Sequence, residues 1–261
     1  MFMDRSVWSL TSPLRRVLLL AGLGWFVVAA LPNPGYSQED EKPKNLKVLD
    51  PKISHDDLMK VMGKFTSALG VGCDHCHFRS ANQREPNFAS DSNKVKLTAR
   101  AMLQMVNQIN GNYIGHLTTV DSPHVTVECV TCHRGQIKPI LIQDLLKRER
   151  KEHGMTAVDS VYRALRKDYY GSATYDFSDL ALAQLAFDVA NDSKPDALTL
   201  LKLNKEFNPN SALNEWAMGR VYVGMGDTTS AIASYKHALE LNPEYRRAQH
   251  ELDMLQGHRK P

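Results

Sequence analysis

This chain has no cysteine to spare. It contains four, and they fall as two close pairs, Cys73 with Cys76 and Cys129 with Cys132. Nothing is left over for a separate disulfide framework. The chain also lacks a strong charge of either sign, and a net +3 at pH 7 gives no argument for nucleic acid as a partner. Nor has it a comfortable membrane span at its N-terminus, where the uncharged run Val17 to Leu31 is too short to cross the hydrocarbon layer easily. Apolar, charged and aromatic fractions are ordinary for a soluble protein, and 261 residues allow one or two domains.

What is present is sharper than what is missing. Each cysteine pair is followed at once by a histidine, giving Cys73-Asp74-His75-Cys76-His77 and Cys129-Val130-Thr131-Cys132-His133. C-x-x-C-H is the attachment signal of c-type haem. Two thiols three positions apart can each form a thioether to a vinyl group, and the adjoining imidazole reaches the iron as proximal ligand. A zinc ribbon would hold its pairs closer together in sequence. A redox dithiol would want a strand–helix setting, and disulfides would not explain a histidine after each pair. Two covalently bound haem c groups are therefore expected, with Cys73, Cys76, Cys129 and Cys132 as thioether carriers and His77 and His133 as proximal ligands.

The N-terminus fits that chemistry. Arg15 and Arg16 precede the apolar run, and polar residues from Gln38 onward follow it. Gly35 and Ser37 supply small residues at the −3 and −1 positions of a cleavage site before Gln38. Residues 1–37 are read as a signal peptide or, if uncleaved, an N-terminal anchor. In either case the remainder is exported, with membrane contact only through an uncleaved anchor. Haem is attached covalently outside the cytoplasm, so a periplasmic or otherwise exported location suits the motifs.

Residues 38–150 form the expected haem-bearing domain. A charged lead-in to Pro51 precedes a helix start at Ser54, three residues before Asp57. Leu58, Val61, Met62, Phe65 and Leu69 follow helical spacing, and Gly70 and Gly72 end the helix just before the first motif. Phe78 to Ser92 reads as a loop, with Ser90, Asp91 and Ser92 as candidate caps of a second helix from about Asn93 to Asn110. Gly111 suits its C-cap. From Ile140 to about Glu152 the pattern is a charged exit helix and linker.

Residues 151–261 differ in character. Met155 to Tyr170 is helical by pattern. Met218-Gly219, Tyr222, Gly226, Ala231, Tyr235, Ala238-Leu239, Leu241 and Pro243 then match the tetratricopeptide pattern over 212–245. Ala197 and Pro209 fall in place one period earlier, although Leu185 stands where a small residue is usual. A degenerate first repeat is expected over 178–211, with 244–255 as capping helix. Two repeats are few for a freestanding array, so 156–170 is expected to pack on them as an extra helix.

Each iron also needs a distal ligand or an open position. Met62, eleven residues before Cys73, could fold back over the first ring, and Met59 fits nearly as well. For the second haem Met102 and Met105 share one helical face, and His116 and His124 stand in the loop that follows. Methionines are also common gap fillers in cores, and most loop histidines are surface residues.

The stretch from Ser54 to Pro139 resembles the cytochrome c subunit of photosynthetic reaction centres, particularly its shorter two-haem relatives. The matching residues include Leu58-Met59-Lys60-Val61-Met62, Ala68-Leu69-Gly70-Val71-Gly72-Cys73, Phe88-Ala89-Ser90-Asp91, Ala99-Arg100-Ala101-Met102-Leu103, Ile109-Asn110 and the run from Cys129 to Gly135. The resemblance implies a repeated helix–turn–haem unit, an electron relay, and Met62 and Met102 as distal ligands. His116 falls on a histidine that, in the four-haem members, serves a haem of the other tandem half. This chain has one half only, so His116 stands as the alternative distal ligand.

The expected protein is thus mainly α: a dihaem domain followed by a helical-hairpin repeat domain. It is expected to carry electrons by outer-sphere transfer between a donor and an acceptor protein, without turnover chemistry, and to use the repeat domain for protein docking. The competing reading is a dihaem peroxidase or gas-binding sensor with one five-coordinate iron.

Overall fold

The computed structural model describes residues 42–257, apart from Gln83, Glu85 and 119–124. The expected leader at 1–37 and the candidate ligand His124 lie outside the described residues. Among those residues every regular element is a helix, and no helix is long and apolar enough to cross a membrane.

Helix α1, His55–Leu69, begins where the sequence places it. Ser54 Oγ accepts from the Asp57 amide at 3.1 Å, and Asp56 and Asp57 sit in the first turn, where the helix dipole favours negative charge. It stops at Gly70, whose left-handed backbone (φ 67°) suits a residue without a Cβ. A short 3₁₀ turn, Cys73–His75, follows.

Helix α2 runs Lys94–Gln108, and two expectations about it are corrected. Its cap is not one of Ser90, Asp91 or Ser92 but Asn93, whose side chain accepts from the Val95 amide at 2.9 Å. Asp91 is taken by other partners: Asn45 at 2.8 Å, Arg100 at 3.0 Å and Lys96 at 3.2 Å. Nor does the helix end on Gly111. It widens into a π turn, Ile109–Tyr113, and tightens into a 3₁₀ turn, Ile114–His116. The second motif is itself a short helix, α3, Cys129–His133.

The remaining helices are α4 (Ile142–His153), α5 (Met155–Tyr169), α6 (Asp179–Ala190), α7 (Lys194–Phe207), α8 (Ala212–Met225), α9 (Thr228–Leu241) and α10 (Arg246–Leu255). Pairs α6/α7 and α8/α9 are the two hairpins of the expected repeats, and α10 packs on α9 as a cap. Gly219 on α8 lies against the ring of Tyr235 on α9, so closely that a Cβ there would strike the ring. This is the close approach of the two helices that the small residue predicts.

Helix α4 is not a linker. Ile142 and Leu146 are fully buried in the same core as Val158 and Tyr162 of α5 and Leu182 and Leu185 of α6. The expected boundary at residue 150 therefore falls inside a helix that belongs, by packing, with the repeat side. Together α4 and α5 form a third hairpin against α6 and α7, which supplies more support than the single extra helix expected from the sequence. A buried amide network ties α6, α7 and α8: Asn204 Nδ2 donates to the Asp179 carbonyl at 2.7 Å and to Asn214 Oδ1 at 2.8 Å.

Candidate functional site

The two cysteine motifs are held by different local devices. In the first, Gly72 leads into the 3₁₀ turn and the His77 amide bonds to the Cys73 carbonyl at 3.0 Å, closing one turn. Asn93, while capping α2, donates from Nδ2 to the His75 carbonyl at 2.9 Å. One side chain thus fixes both the start of α2 and the first motif. In the second, the Glu128 amide bonds to Thr131 Oγ1 at 3.0 Å, and the Glu128 carboxylate meets Lys64 of α1 at 2.7 Å. Asn110, in the π turn, pairs with Val127 in both directions, at 2.8 and 2.9 Å. The wide turn at the end of α2 therefore places the segment that enters the second motif. Turns of this kind are frequent at functional sites.

After His133 the chain reverses through two left-handed residues, Arg134 (φ 46°) and Gly135 (φ 87°). The reversal brings the Gln136 carbonyl to 2.8 Å from His133 Nδ1. A carbonyl can only accept, so Nδ1 must carry the proton, and the lone pair of this imidazole is on Nε2. That is the tautomer a proximal ligand needs. His77 differs: its Nδ1 is buried without a hydrogen-bond partner among the described residues. Its ring packs edge-on against Phe88 at 5.1 Å. Burial, followed by the charge of Lys96, holds this imidazole below its ordinary pKa, so it favours the neutral form, the form that binds metal.

The thiols point to the same chemistry. None is in a disulfide. Burial pushes the thiols of Cys76 and Cys129 up from their ordinary pKa, so both favour the protonated form. Among the described residues no three His, Cys, Asp or Glu side chains cluster as a metal cage. Haem asks for less from the protein: two thiols and one imidazole per group.

Burial supplies the strongest test of fit. Among the described residues from 42 to 141, Ala68 alone is buried. Met59, Phe78, Phe88, Met102, Met105 and Val130 are all exposed. Such apolar content without a core of its own fits a domain whose interior is completed by two large apolar rings. A cleft of about 510 Å³ lies between Phe65 and Ala68 of α1, Leu103 and Val106 of α2, and Cys129 of the second motif. Pockets for cofactors span about 300–1,000 Å³, so the volume is suitable. The residues present fit two covalently held haems.

The distal candidates separate only in part. Met62 on α1 is half-buried, whereas Met59, one turn earlier, is 52% exposed. Met102 and Met105 on α2 are equally open, at 41% and 44%. His116 is exposed at the end of the 3₁₀ turn.

Comparison with known proteins now bears on this site. The model of the family "Photosynthetic reaction centre cytochrome C subunit" matches residues 28–189, well over half of the chain. The chain belongs to that family. It is 31% identical over 111 residues to the photosynthetic reaction center cytochrome c subunit of Roseobacter denitrificans, covering 42% of this chain and 28% of that protein. To cytochrome c-554 of Chloroflexus aurantiacus it is 41% identical over 68 residues, 26% of this chain and 14% of the relative. To tetratricopeptide repeat protein 17 of Rattus norvegicus it is 30% identical over 110 residues, 41% of this chain and 9% of the relative. The chain therefore spans less than a third of each of these relatives. Among solved structures an O-GlcNAc transferase of Thermobaculum terrenum is 25% identical, covering 44% of this chain and 21% of that one at a TM-score of 0.30.

Sequence reading missed the amides that hold the motifs. Asn93, Asn110 and Gln136 each touch a motif or its approach, and each stands at a helix end or just past a motif. Such residues favour side-chain bonds to backbone there, and that placement was the available signal.

Proposed function

We propose that this protein is an exported dihaem c-type cytochrome that carries electrons between a donor and an acceptor protein. The observation that carries the reading is the pair of C-x-x-C-H turns that use every cysteine, in a family member whose haem-motif half buries one side chain among its described residues. Cys73 and Cys76 would hold one haem and Cys129 and Cys132 the other. When bound, each haem supplies an iron that alternates between ferrous and ferric states.

The protein's part is to hold, shield and tune. His77 and His133 would serve as proximal ligands, and Met62 and Met102 as distal ones. The greater burial of Met62 supports it over Met59, whereas Met102 rests on the family resemblance, with His116 as the alternative. Phe65, Leu103 and Val106 line the cleft and limit water, which helps set the potential. A histidine and a methionine holding each iron would leave no place for a substrate, and the chemistry the group would supply is outer-sphere electron transfer. The leader-like residues 1–37 support export to the periplasm, and the stacked hairpins from α4 to α10 support a docking role toward a protein partner.

The test is direct. Exported protein should keep its haem through acid–acetone extraction, at two haems per chain, and the ferrous form should not bind carbon monoxide quickly. One haem per chain, or bound zinc, overturns the reading. Rapid carbon monoxide binding at one haem would transfer support to a peroxidase or gas sensor.

A further inference from the structure

The two proximal histidines are held unequally, and the difference originates in the repeat side of the molecule. His133 Nδ1 has the Gln136 carbonyl at 2.8 Å, whereas His77 Nδ1 is buried with no hydrogen-bond partner among the described residues. The backbone that delivers the Gln136 carbonyl is costly to hold, because Arg134 is a non-glycine residue at φ 46°, a conformation that disfavours side chains. The loop between α5 and α6 holds it in place. Thr174 Oγ1 donates to the Arg134 carbonyl at 2.8 Å. Gln136 Nε2 donates to the Thr174 carbonyl at 3.2 Å, and Tyr175 Oη donates to Gln136 Oε1 at 3.3 Å.

That loop is itself fixed. Tyr175 meets Tyr169 edge-on at 5.3 Å and Phe177 at 6.3 Å. Phe177 is buried in the core and packs on Tyr162 at 5.7 Å. A continuous set of contacts therefore runs from the core of the repeat side to the ring of a proximal ligand.

We propose that Thr174, Tyr175 and Gln136 are positioning residues for the second haem: they fix the His133 imidazole with its Nδ1 proton on the Gln136 carbonyl, and so keep that haem at a lower potential than it would otherwise have. The physical reason is ligand basicity. An imidazole that donates from Nδ1 is a stronger electron donor through Nε2, which favours the ferric iron. The inference rests on the haem-carrier reading above. Among the described residues no side chain from another loop straps the His77 ring, which has only the Phe88 backbone beside it, so the effect is expected at the second haem and the first serves as an internal reference.

The experiment is a spectroelectrochemical titration of the full haem-loaded chain, with haem counted first. Its variants are Thr174→Val, which removes the donor to Arg134, and Tyr175→Phe, which removes a single hydroxyl. Hyperfine-shifted NMR assigns the two haems and follows exchange of each proximal ring N–H in the ferric form. The expected result is two haems per chain in every variant, an upward shift of the second haem's midpoint with the first unchanged, and faster exchange of the His133 ring proton. Thr174→Ser, which keeps the hydroxyl, should restore both. Unchanged midpoints in both variants, or equal shifts of the two haems, overturn the strap while leaving the carrier intact. A wild-type chain without two haems overturns both.

Discussion

Gly70 and Gly135 lie so close that a methyl group on the first would sit 2.5 Å from the carbonyl oxygen of the second. One residue ends the helix leading to the first haem motif, and the other ends the turn leaving the second. The Gly135 amide also donates to the Ala68 carbonyl at 2.8 Å. The two units are therefore joined backbone to backbone.

Gly70→Ala tests that junction. A side chain on left-handed backbone costs about 1–2 kcal/mol, and overpacking against a fixed carbonyl adds about 1–3 kcal/mol. The expected loss is about 2–5 kcal/mol, read as a lower denaturant midpoint for the haem signal. A variant as stable as wild type would show that the junction is loose in solution.

Ligand assignment is the second prediction. Met62→Ala should open one haem and Met102→Ala the other, each binding carbon monoxide in the ferrous form and each losing potential, because a thioether favours ferrous iron. Haem content should stay at two per chain, since the thioethers are untouched. If His116→Ala, and not Met102→Ala, produces the change at the second haem, the histidine is the ligand.

Tyr235 gives a prediction in alkali. It is fully buried, its hydroxyl has no partner among the described residues, and burial pushes its pKa up to about 12. The folded state holds this proton after the unfolded chain has released it. Stability from this group is therefore whole below the ordinary tyrosine pKa near 10 and falls as pH rises toward 12. Tyr235→Phe should remove that part of the alkaline loss. At neutral pH it should be neutral or stabilising by about 1 kcal/mol, because an unsatisfied buried hydroxyl is gone. A loss above that size in thermal melts would mean the hydroxyl has a partner after all.

Asp91 sets the acid limit of the lead-in segment. The Arg100 guanidinium first, then Asn45, hold its carboxyl well below the usual carboxylate range. Stability from this group is present above its unfolded pKa and is lost as pH falls through the lowered one. The contacts around Asn45, including its 2.6 Å bond to the Ala89 carbonyl, should persist through pH 4 in an NMR titration. Asp91→Asn should release them at every pH.

The helices were legible because their signals are local. Ser54 and Gly70 mark the ends of α1 by cap chemistry, and Gly219 announces the packing of α8 on α9 by its size alone. The haem motifs were legible because covalent attachment fixes residue type and spacing. What was hidden depends on distant partners. Gly111 looks like a C-cap, yet Asn110 pairs with Val127 and holds the backbone in a π turn instead. The exit helix reads as a charged linker because its polar residues outnumber its apolar ones. Only the packed core shows that Ile142 and Leu146 are its inward side. The strap on His133 joins residues about forty positions apart, and no local pattern encodes it.

The uneven burial also implies an order of assembly. From α4 onward the chain encloses Leu146, Tyr162, Leu182 and Tyr235 among its own side chains and can reach its final shape on its sequence alone. The segment before α4, with Ala68 as the one enclosed side chain among its described residues, would on the proposed reading gain binding energy for folding from the rings it acquires. On the proposed reading, a newly made chain would thus present a finished tail beside a pliant head, leaving both cysteine pairs within reach for attachment until the second ring is in place.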